Sequence, residues 1–587
     1  MGLDGADVFA EQAKEEQLHG TEEEDADQDR RRAQLEVLPE QQFGGEVAHG
    51  NQQADACKIR EVSVFSAEGA CYSRRGYMSS AVNNESRLLS RMLVAYAIAV
   101  LLLVALSARL WWQSPMDLIA HEFDYFLGLF ASSGENESKQ WAAIGRLLHF
   151  GGFLVVGLLY LAIVGRFVRE PEALSKGRIA GYAALVPLIF AAGMPWVSPD
   201  VFFYIGKGWE ESHYGVSPYL IPINQLPGYQ NDQMFANIFP GFLNTATGYG
   251  PIVQKVAELI AALSGGNEKL ALALHKVVNL GLHGACSMLV YRLAPEKFAR
   301  VAALSYAINP LICFSVLTCA HNDHWMNMFM LLALLALSRR RWAWAGAAVG
   351  AAFGVKYFPL VYMPILGLAA LMQKGEGMGL AQRLSDAARL VIGFIATSVA
   401  SFLIFYPEAL PDLAGTLSSG GASVYRNSIY HFANVLSAVV VPSIFGSEAF
   451  LLSRQYMIDM GMSLRAVYII IYVISLLLLL RRMRDDIFNG SVSACLGVTI
   501  LYFIIANASN QEWYMTWLMG FALILPYKHA YSLAWRLSAF FLPLVIYTVK
   551  SDTIIAWLYS NTALYLLVLA LGCRYLWCSR SDSGKVA

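Results

Sequence analysis

The chain has 587 residues, of which 56% are hydrophobic, 12% aromatic and only 15% charged, and its mean hydropathy is +0.45. Soluble domains carry about 25% charged residues, so the composition predicts a polytopic all-α membrane protein. A formal net charge of -1, with no zinc-finger or helix-turn-helix pattern, argues against a nucleic acid as partner. The eight cysteines form no CxxC pair and five lie in or beside apolar runs, which reads as small core residues rather than redox or metal chemistry.

Residues 1–80 differ from everything after them. Charge is dense from Glu22 to Arg32 and apolar periodicity is absent, the pattern of a disordered cytoplasmic tail without signal-peptide order. From Arg87 onward apolar segments recur at lengths suited to a span, which needs roughly 20 residues and fewer where neighbours shield the helix. Spans are predicted near 88–111, 143–167, 178–197, 270–291, 299–318, 324–338, 342–355, 358–372, 387–406, 464–480, 492–508, 513–527, 535–549 and 554–572, about fourteen. Two stretches read instead as amphipathic or re-entrant helices on the outer face: 251–263, where Gln254, Lys255 and Glu258 interrupt the apolar residues, and 427–445. The organisation expected is a tail (1–80), an N-terminal hairpin (81–177), a catalytic core (178–530) and a C-terminal hairpin with a short tail (531–587).

Lysines and arginines near span ends stay on the cytoplasmic side. With both termini inside, the clusters around Arg166–Arg178, Arg292–Arg300, Arg339–Arg341 and Arg481–Arg484 all fall there. This orientation sends Asp200, the run His321-Asn322-Asp323-His324, Lys356, Tyr425-Arg426-Asn427 and Gln511-Glu512-Trp513-Tyr514 to the opposite, outer ends of spans. A charge near bilayer depth costs several kcal/mol unless it lines a wet or paired site. Their common side therefore points to one shared cavity.

Taken in order, Ser198-Pro-Asp200, Gly215-x-x-Pro-Tyr219, Tyr249-Gly-Pro251, His321-Asn-Asp323, Lys356-Tyr-x-Pro359 and Glu512-Trp-Tyr514 resemble the C-fold glycosyltransferases. Within them the pattern is most similar to the polyprenol-phosphate-mannose-dependent α-mannosyltransferases and the glycosyltransferase 87 group, over about residues 178–530. The resemblance implies a C-fold bundle with amphipathic helices on the non-cytoplasmic face. It also implies inverting transfer of a hexose, mannose by default, from a polyprenyl-phosphate donor to a glycolipid or glycan acceptor. In that family the acid follows the first span, whereas Asp200 follows the third, so the match requires 88–167 to be an added hairpin.

Inverting transfer needs a base for the acceptor hydroxyl. Asp200 is the candidate, the alternative being a helix cap formed by Ser198-Pro-Asp. Lys356 and Arg426 are candidates for the donor phosphate, with a snorkelling lysine and a surface arginine as alternatives. His321, Asn322 and Asp323 could hydrogen-bond sugar or phosphate, cap a helix, or contribute with His324 to a divalent metal site, although the spacing matches no zinc signature. No cofactor is required, and a metal is not favoured. Glu512, the fallback base, lies beside Trp513 and Tyr514, whose faces suit a sugar ring, while an interfacial belt fits Trp513 and Trp517 equally well. Tyr204, Tyr214, Tyr219 and Tyr249 could line the acceptor path, while Gly215, Pro218 and Pro251 read as turn residues. A polyprenyl-linked glycan polymerase or ligase, a flippase and a secondary transporter are the rival functions. A bacterial plasma membrane is the expected location, with the endoplasmic reticulum as the alternative.

Overall fold

The computed structural model describes residues 71–113, 135–195, 198–373, 378–406, 466–476, 486–507, 510–549 and 554–581. Arg426, the 427–445 segment and the Arg481–Arg484 cluster lie outside them. Among the described residues the chain is helical and has no strand.

Two long helices come first, α1 (Cys71–Gln113) and α2 (Glu135–Phe167), followed by α3 (Lys176–Ala191), α4 (Asp200–Tyr214), α5 (Pro251–Ser264), α6 (Glu268–Leu293) and α7 (Ala299–Ala307). The core continues through α8 (Asp323–Ser338), α9 (Trp342–Phe353), α10 (Met363–Leu371) and α11 (Leu380–Phe405). It closes with α12 (Ile487–Leu501), α13 (Thr516–Ile524), α14 (Lys528–Val549) and α15 (Ile554–Ser581). Each stretch predicted as a span coincides with helical structure where it is described. Among the described residues, five helical segments are long and apolar enough to cross a membrane: Asn84–Ala105, Leu148–Phe167, Glu296–Thr318, Leu380–Phe405 and Ile487–Ala506. The other predicted spans are shorter or more polar. Asp323–Ser338, Trp342–Phe353 and Phe358–Leu371 are apolar helices of 10–17 residues, a length that works where neighbouring protein replaces lipid.

Burial separates the centre from the periphery. The Glu296–Thr318 segment is 94% buried, whereas Leu380–Phe405 is 22% buried and turns Ile392, Ile395, Val399 and Ile404 outward. Apolar side chains exposed along a whole helix face fit contact with lipid better than contact with water. Helix pairs approach closely where small residues permit it. A Cβ on Gly346 of α9 would lie 1.8 Å from the Leu390 carbonyl oxygen of α11, so any larger residue there would force the two helices apart.

The predicted amphipathic helix at 251–263 is α5. It buries Val253, Ala257, Ile260 and Ala261 and packs against α4. Its polar face carries Lys255, 2.9 Å from Glu211 and also paired with Glu258. The turn residues behave as their chemistry suggests. Gly215 closes α4 in the left-handed region (φ 67°), and Pro251 occupies the first turn of α5, where its missing N–H costs nothing.

Candidate functional site

Asp200 is the first residue of α4, and the cap position is Pro199, which has no side-chain hydrogen bond to offer. The Ser198 hydroxyl instead donates to Asp200 Oδ1 at 3.0 Å, and the Tyr249 hydroxyl donates to Oδ2 at 3.4 Å. His321 Nδ1 lies 3.8 Å from the same Oδ2, and the Asp200 side chain is 14% exposed. Burial raises the Asp200 carboxyl above the ordinary carboxylate range, against the Ser198 hydrogen bond and the nearby Lys356 charge, which lower it. Burial holds His321 neutral, far below its usual value, and Lys356 pushes the same way. The contact between His321 and Asp200 is thus one between a carboxylate and a neutral imidazole.

Tyr204 sits one helical turn after Asp200, so both face the same side. Its hydroxyl lies 3.4 Å from the Tyr249 hydroxyl and 3.4 Å from His321 Nδ1, and the Tyr204 and Tyr249 rings meet edge to face at 4.9 Å. Tyr219 donates to the Tyr249 carbonyl at 2.7 Å and so supports that residue from behind. Tyr214 does not join this group: its hydroxyl donates to Asp232 at 2.9 Å.

His321 follows a tight reversal. A π-helical turn, Cys313–Thr318, ends the Glu296–Thr318 segment, and Ala320 takes a positive φ of 55°, which an alanine adopts only under constraint from its surroundings. Asn279 of α6 supplies part of that constraint by donating to the Val316 carbonyl at 3.0 Å and the His321 carbonyl at 3.4 Å. Trp325 donates to the Asn279 side chain at 2.9 Å. The His321 ring stacks on Trp513 with centroids 3.7 Å apart.

Asp323 opens α8 fully buried. It accepts hydrogen bonds at Oδ1 from Lys356 Nζ (2.8 Å) and Trp517 Nε1 (2.6 Å). Lys356 Nζ also stands over the rings of Tyr514 (4.9 Å), Trp517 (5.7 Å) and Tyr249 (5.9 Å), faces that attract a cation. Lys356 is therefore not a lysine stretching its ammonium out along a free stem; it is 14% exposed and clasped between an acid and three aromatic rings. Among the described residues, His321 Nε2, Asp323 Oδ2 and both side-chain polar atoms of Asn322 are buried without a hydrogen-bond partner, so capacity for further hydrogen bonds is left in the site. His324 points elsewhere and stacks with His283 at 5.3 Å. Among the described residues no group of three histidine, cysteine or acidic side chains is placed to hold a metal ion. Glu512 is buried in the 3-10 turn Glu512–Met515, which presents Trp513 and Tyr514.

Backbone joins the two sides of this cluster. Gly250 N donates to the Val355 carbonyl at 3.1 Å and Ile252 N to the Gly354 carbonyl at 3.0 Å, so Tyr249 and Lys356 are neighbours by main-chain pairing. A Cβ on Gly250 would lie 2.2 Å from the Gly354 carbonyl oxygen, which only glycine avoids.

Asn279, Trp325 and Trp517 were not among the residues singled out for the site. A signal for the first was present: His275, Lys276, Asn279 and His283 recur at helical spacing in α6, and a polar stripe on an otherwise apolar helix marks an inward face. Trp517 read as an interfacial belt residue, and nothing in the sequence tied its indole to Asp323.

A family model described as α-(1→6)-mannopyranosyltransferase, N-terminal domain, matches residues 126–372. That interval contains Asp200, Tyr204, Tyr219, Tyr249, His321, Asn322, Asp323 and Lys356. The chain is 24% identical to α-(1→6)-mannopyranosyltransferase A of Corynebacterium glutamicum over 362 residues, 60% of this chain and 71% of that protein. It is 29% identical to a probable α-(1→6)-mannopyranosyltransferase of Mycolicibacterium smegmatis over 185 residues, 31% of this chain and 32% of that protein. No solved structure matches. These similarities agree with the resemblance carried by the six motifs, and the chain is a glycosyltransferase resembling the α-mannosyltransferases.

Proposed function

We propose that the protein transfers mannose from a polyprenyl-phosphate donor to a hydroxyl of a glycan or glycolipid at the non-cytoplasmic face of a bacterial plasma membrane. The observation that carries this reading is Asp200: a carboxylate of raised affinity for protons, slightly open to solvent, with neutral donors on both oxygens and a held cation close by. Asp200 takes the acceptor hydroxyl's proton as that oxygen bonds to the anomeric carbon. The bond from that carbon to the phosphate oxygen breaks, and its electron pair leaves with the polyprenyl phosphate. An α product formed with inversion requires a β-linked donor.

Lys356, fixed by Asp323 and Trp517, supplies positive charge for the departing phosphate without moving at the moment of reaction. His321 Nε2, Asn322 and Asp323 Oδ2 supply hydrogen bonds to sugar hydroxyls, while Trp513 and Tyr514 offer ring faces. Tyr204 and Tyr249 orient Asp200, with Tyr219 holding Tyr249 in place. Glu512 lies beneath the aromatic turn, and Arg426 is a further phosphate ligand in this scheme.

The test is transfer from polyprenyl-phosphate mannose by membranes containing the Asp200→Asn protein at wild-type level. Loss of transfer with retained folding is expected; unchanged transfer removes Asp200 from the mechanism. Analysis of the product linkage decides the stereochemistry.

A further inference from the structure

A second open space lies away from the Asp200 cluster. It is a groove of about 580 Å³ between α3, α6 and α7. Small residues create it: Ala180, Ala183 and Ala184 on α3 face Gly284 on α6 and Ala303 on α7. His283 Nε2 lies 2.9 Å from the Ala307 carbonyl oxygen and the Ser287 hydroxyl donates to the His283 carbonyl at 2.8 Å, while His283 Nδ1 is buried without a hydrogen-bond partner among the described residues. The rest of the lining between the two ends, from Ile179 to Leu188 on α3 and Leu280 and Met288 on α6, is apolar.

Along α3 the lining runs from Lys176 to Leu188. Twelve steps at 1.5 Å give about 18 Å, close to one leaflet of a hydrocarbon core about 30 Å thick. One end of the groove is cationic. Lys176, Arg300 and Tyr291 all line it there. Lys176 is the first residue of α3, where the peptide dipoles leave positive charge. Arg300 is shared with Glu172, whereas Lys176 has no hydrogen-bond or ion-pair partner among the described residues.

This mouth is at the opposite end of α3 from the segment that leads to Asp200. Lys276 holds that other end by donating to the carbonyls of Ala191 and Gly193. A lipid seated here would put its headgroup on the face away from the carboxylate cluster, which separates it from any donor that Asp200 serves.

We infer that the groove between α3, α6 and α7 holds one acyl chain of an anionic glycerophospholipid from the leaflet on the Lys176 side, with the lipid phosphate against Lys176, Arg300 and Tyr291. The inference rests on the chain spanning a membrane, not on which sugar it transfers. Cations at a headgroup attract anionic lipid, and each contributes to selection over a zwitterion.

The test uses the full chain, delipidated and reconstituted into phosphatidylcholine nanodiscs containing a minor fraction of phosphatidylglycerol. Lipids retained after release are identified by native mass spectrometry. The wild type should retain phosphatidylglycerol several-fold over its fraction in the disc. Lys176→Glu should bring the ratio to parity, and Ala184→Phe, which fills the groove, should abolish retention of either lipid. Parity in the wild type, an unchanged ratio in Lys176→Glu, or displacement of phosphatidylglycerol by an equal amount of polyprenyl phosphate would each overturn the inference. Lys176 is exposed, so its variant reports on the headgroup even where Ala184→Phe fails to fold. Retention is read independently of sugar transfer, so failure of the proposed reaction would leave this result standing.

Discussion

Two of the three carboxylates on helix α4, Asp200 and Glu210, stand in opposite circumstances. Glu210 is completely buried and closed by Lys207, itself fully buried, at 2.8 Å; Lys207 also donates to the Ile221 carbonyl at 3.2 Å. Asp200, at the start of the same helix, keeps some exposure, and the cation whose charge acts on it, Lys356, is held by another acid. Burial raises both carboxyl groups, yet of the two only Asp200 keeps any exposure to solvent. On the proposed function, the dedicated counter-ion makes Glu210 structural, whereas the borrowed one leaves Asp200 available for proton transfer.

The sharpest way to break this comparison is to neutralise each acid in turn. Asp200→Asn should lower initial rates of transfer by about 10²–10⁴ while the thermal unfolding profile stays near wild type. Glu210→Gln should do the reverse. Leaving Lys207 buried without its partner costs about 3–5 kcal/mol, read as a lower unfolding midpoint, while the rate per folded molecule changes little. Equal behaviour of the two variants would dissolve the distinction.

Lys356→Met tests the borrowed cation. It strands Asp323, so stability should fall by an amount approaching the same 3–5 kcal/mol, reduced by the partial exposure of Lys356. Asp323→Asn in the same chain should restore part of the loss, measured as a double-mutant cycle.

The pH dependence gives a finer reading. Because folding raises the Asp200 carboxyl, the folded state binds its proton more tightly than the unfolded chain does. The stabilising contribution is complete below the ordinary aspartate value of about 3.9 and is lost as pH rises through the raised folded value. On the proposed mechanism transfer needs the ionised form, so kcat/KM should rise across that same interval. Removing the Lys356 charge should move this acid limb to higher pH; a limb that stays in place would show that Lys356 does not act on Asp200.

The smallest expected effect belongs to the backbone seam. Gly250→Ala introduces a Cβ where a carbonyl oxygen stands 2.2 Å away, and overpacking of this kind costs about 1–3 kcal/mol. The measured consequence should be a higher KM for acceptor as Tyr249 shifts, with a modest fall in unfolding temperature.

Much of this arrangement was legible in the chain because lipid restricts where polar residues can go. Asp200, His321, Asp323 and Lys356 sit at helix ends with apolar runs beside them, and sidedness alone brought them together. The pairing inside the cluster was not legible. Lys356 could have met either aspartate, and the choice of Asp323 follows from how α8 and α9 pack and from the indole of Trp517 reaching the same oxygen. The cap reading of Ser198-Pro-Asp200 was equally natural in sequence; it gives way because Pro199 occupies the cap and the Ser198 hydroxyl turns to the carboxylate. Helix length alone would have missed Trp342–Phe353, which is apolar but short and has α8 and α11 for its surroundings.

The main-chain pairing of Gly250 and Ile252 with Val355 and Gly354 has one more consequence. It fixes the distance between the Tyr249 side of the site and the Lys356 side without using a side chain from either. On the proposed function, side chains lining the site can therefore be exchanged, to admit a different sugar or acceptor, while the spacing between the backbone at Tyr249 and at Lys356 is preserved. On that same reading, new substrate preferences can arise from changes at ring faces such as Trp513 or Tyr514, whereas position 250 must stay glycine.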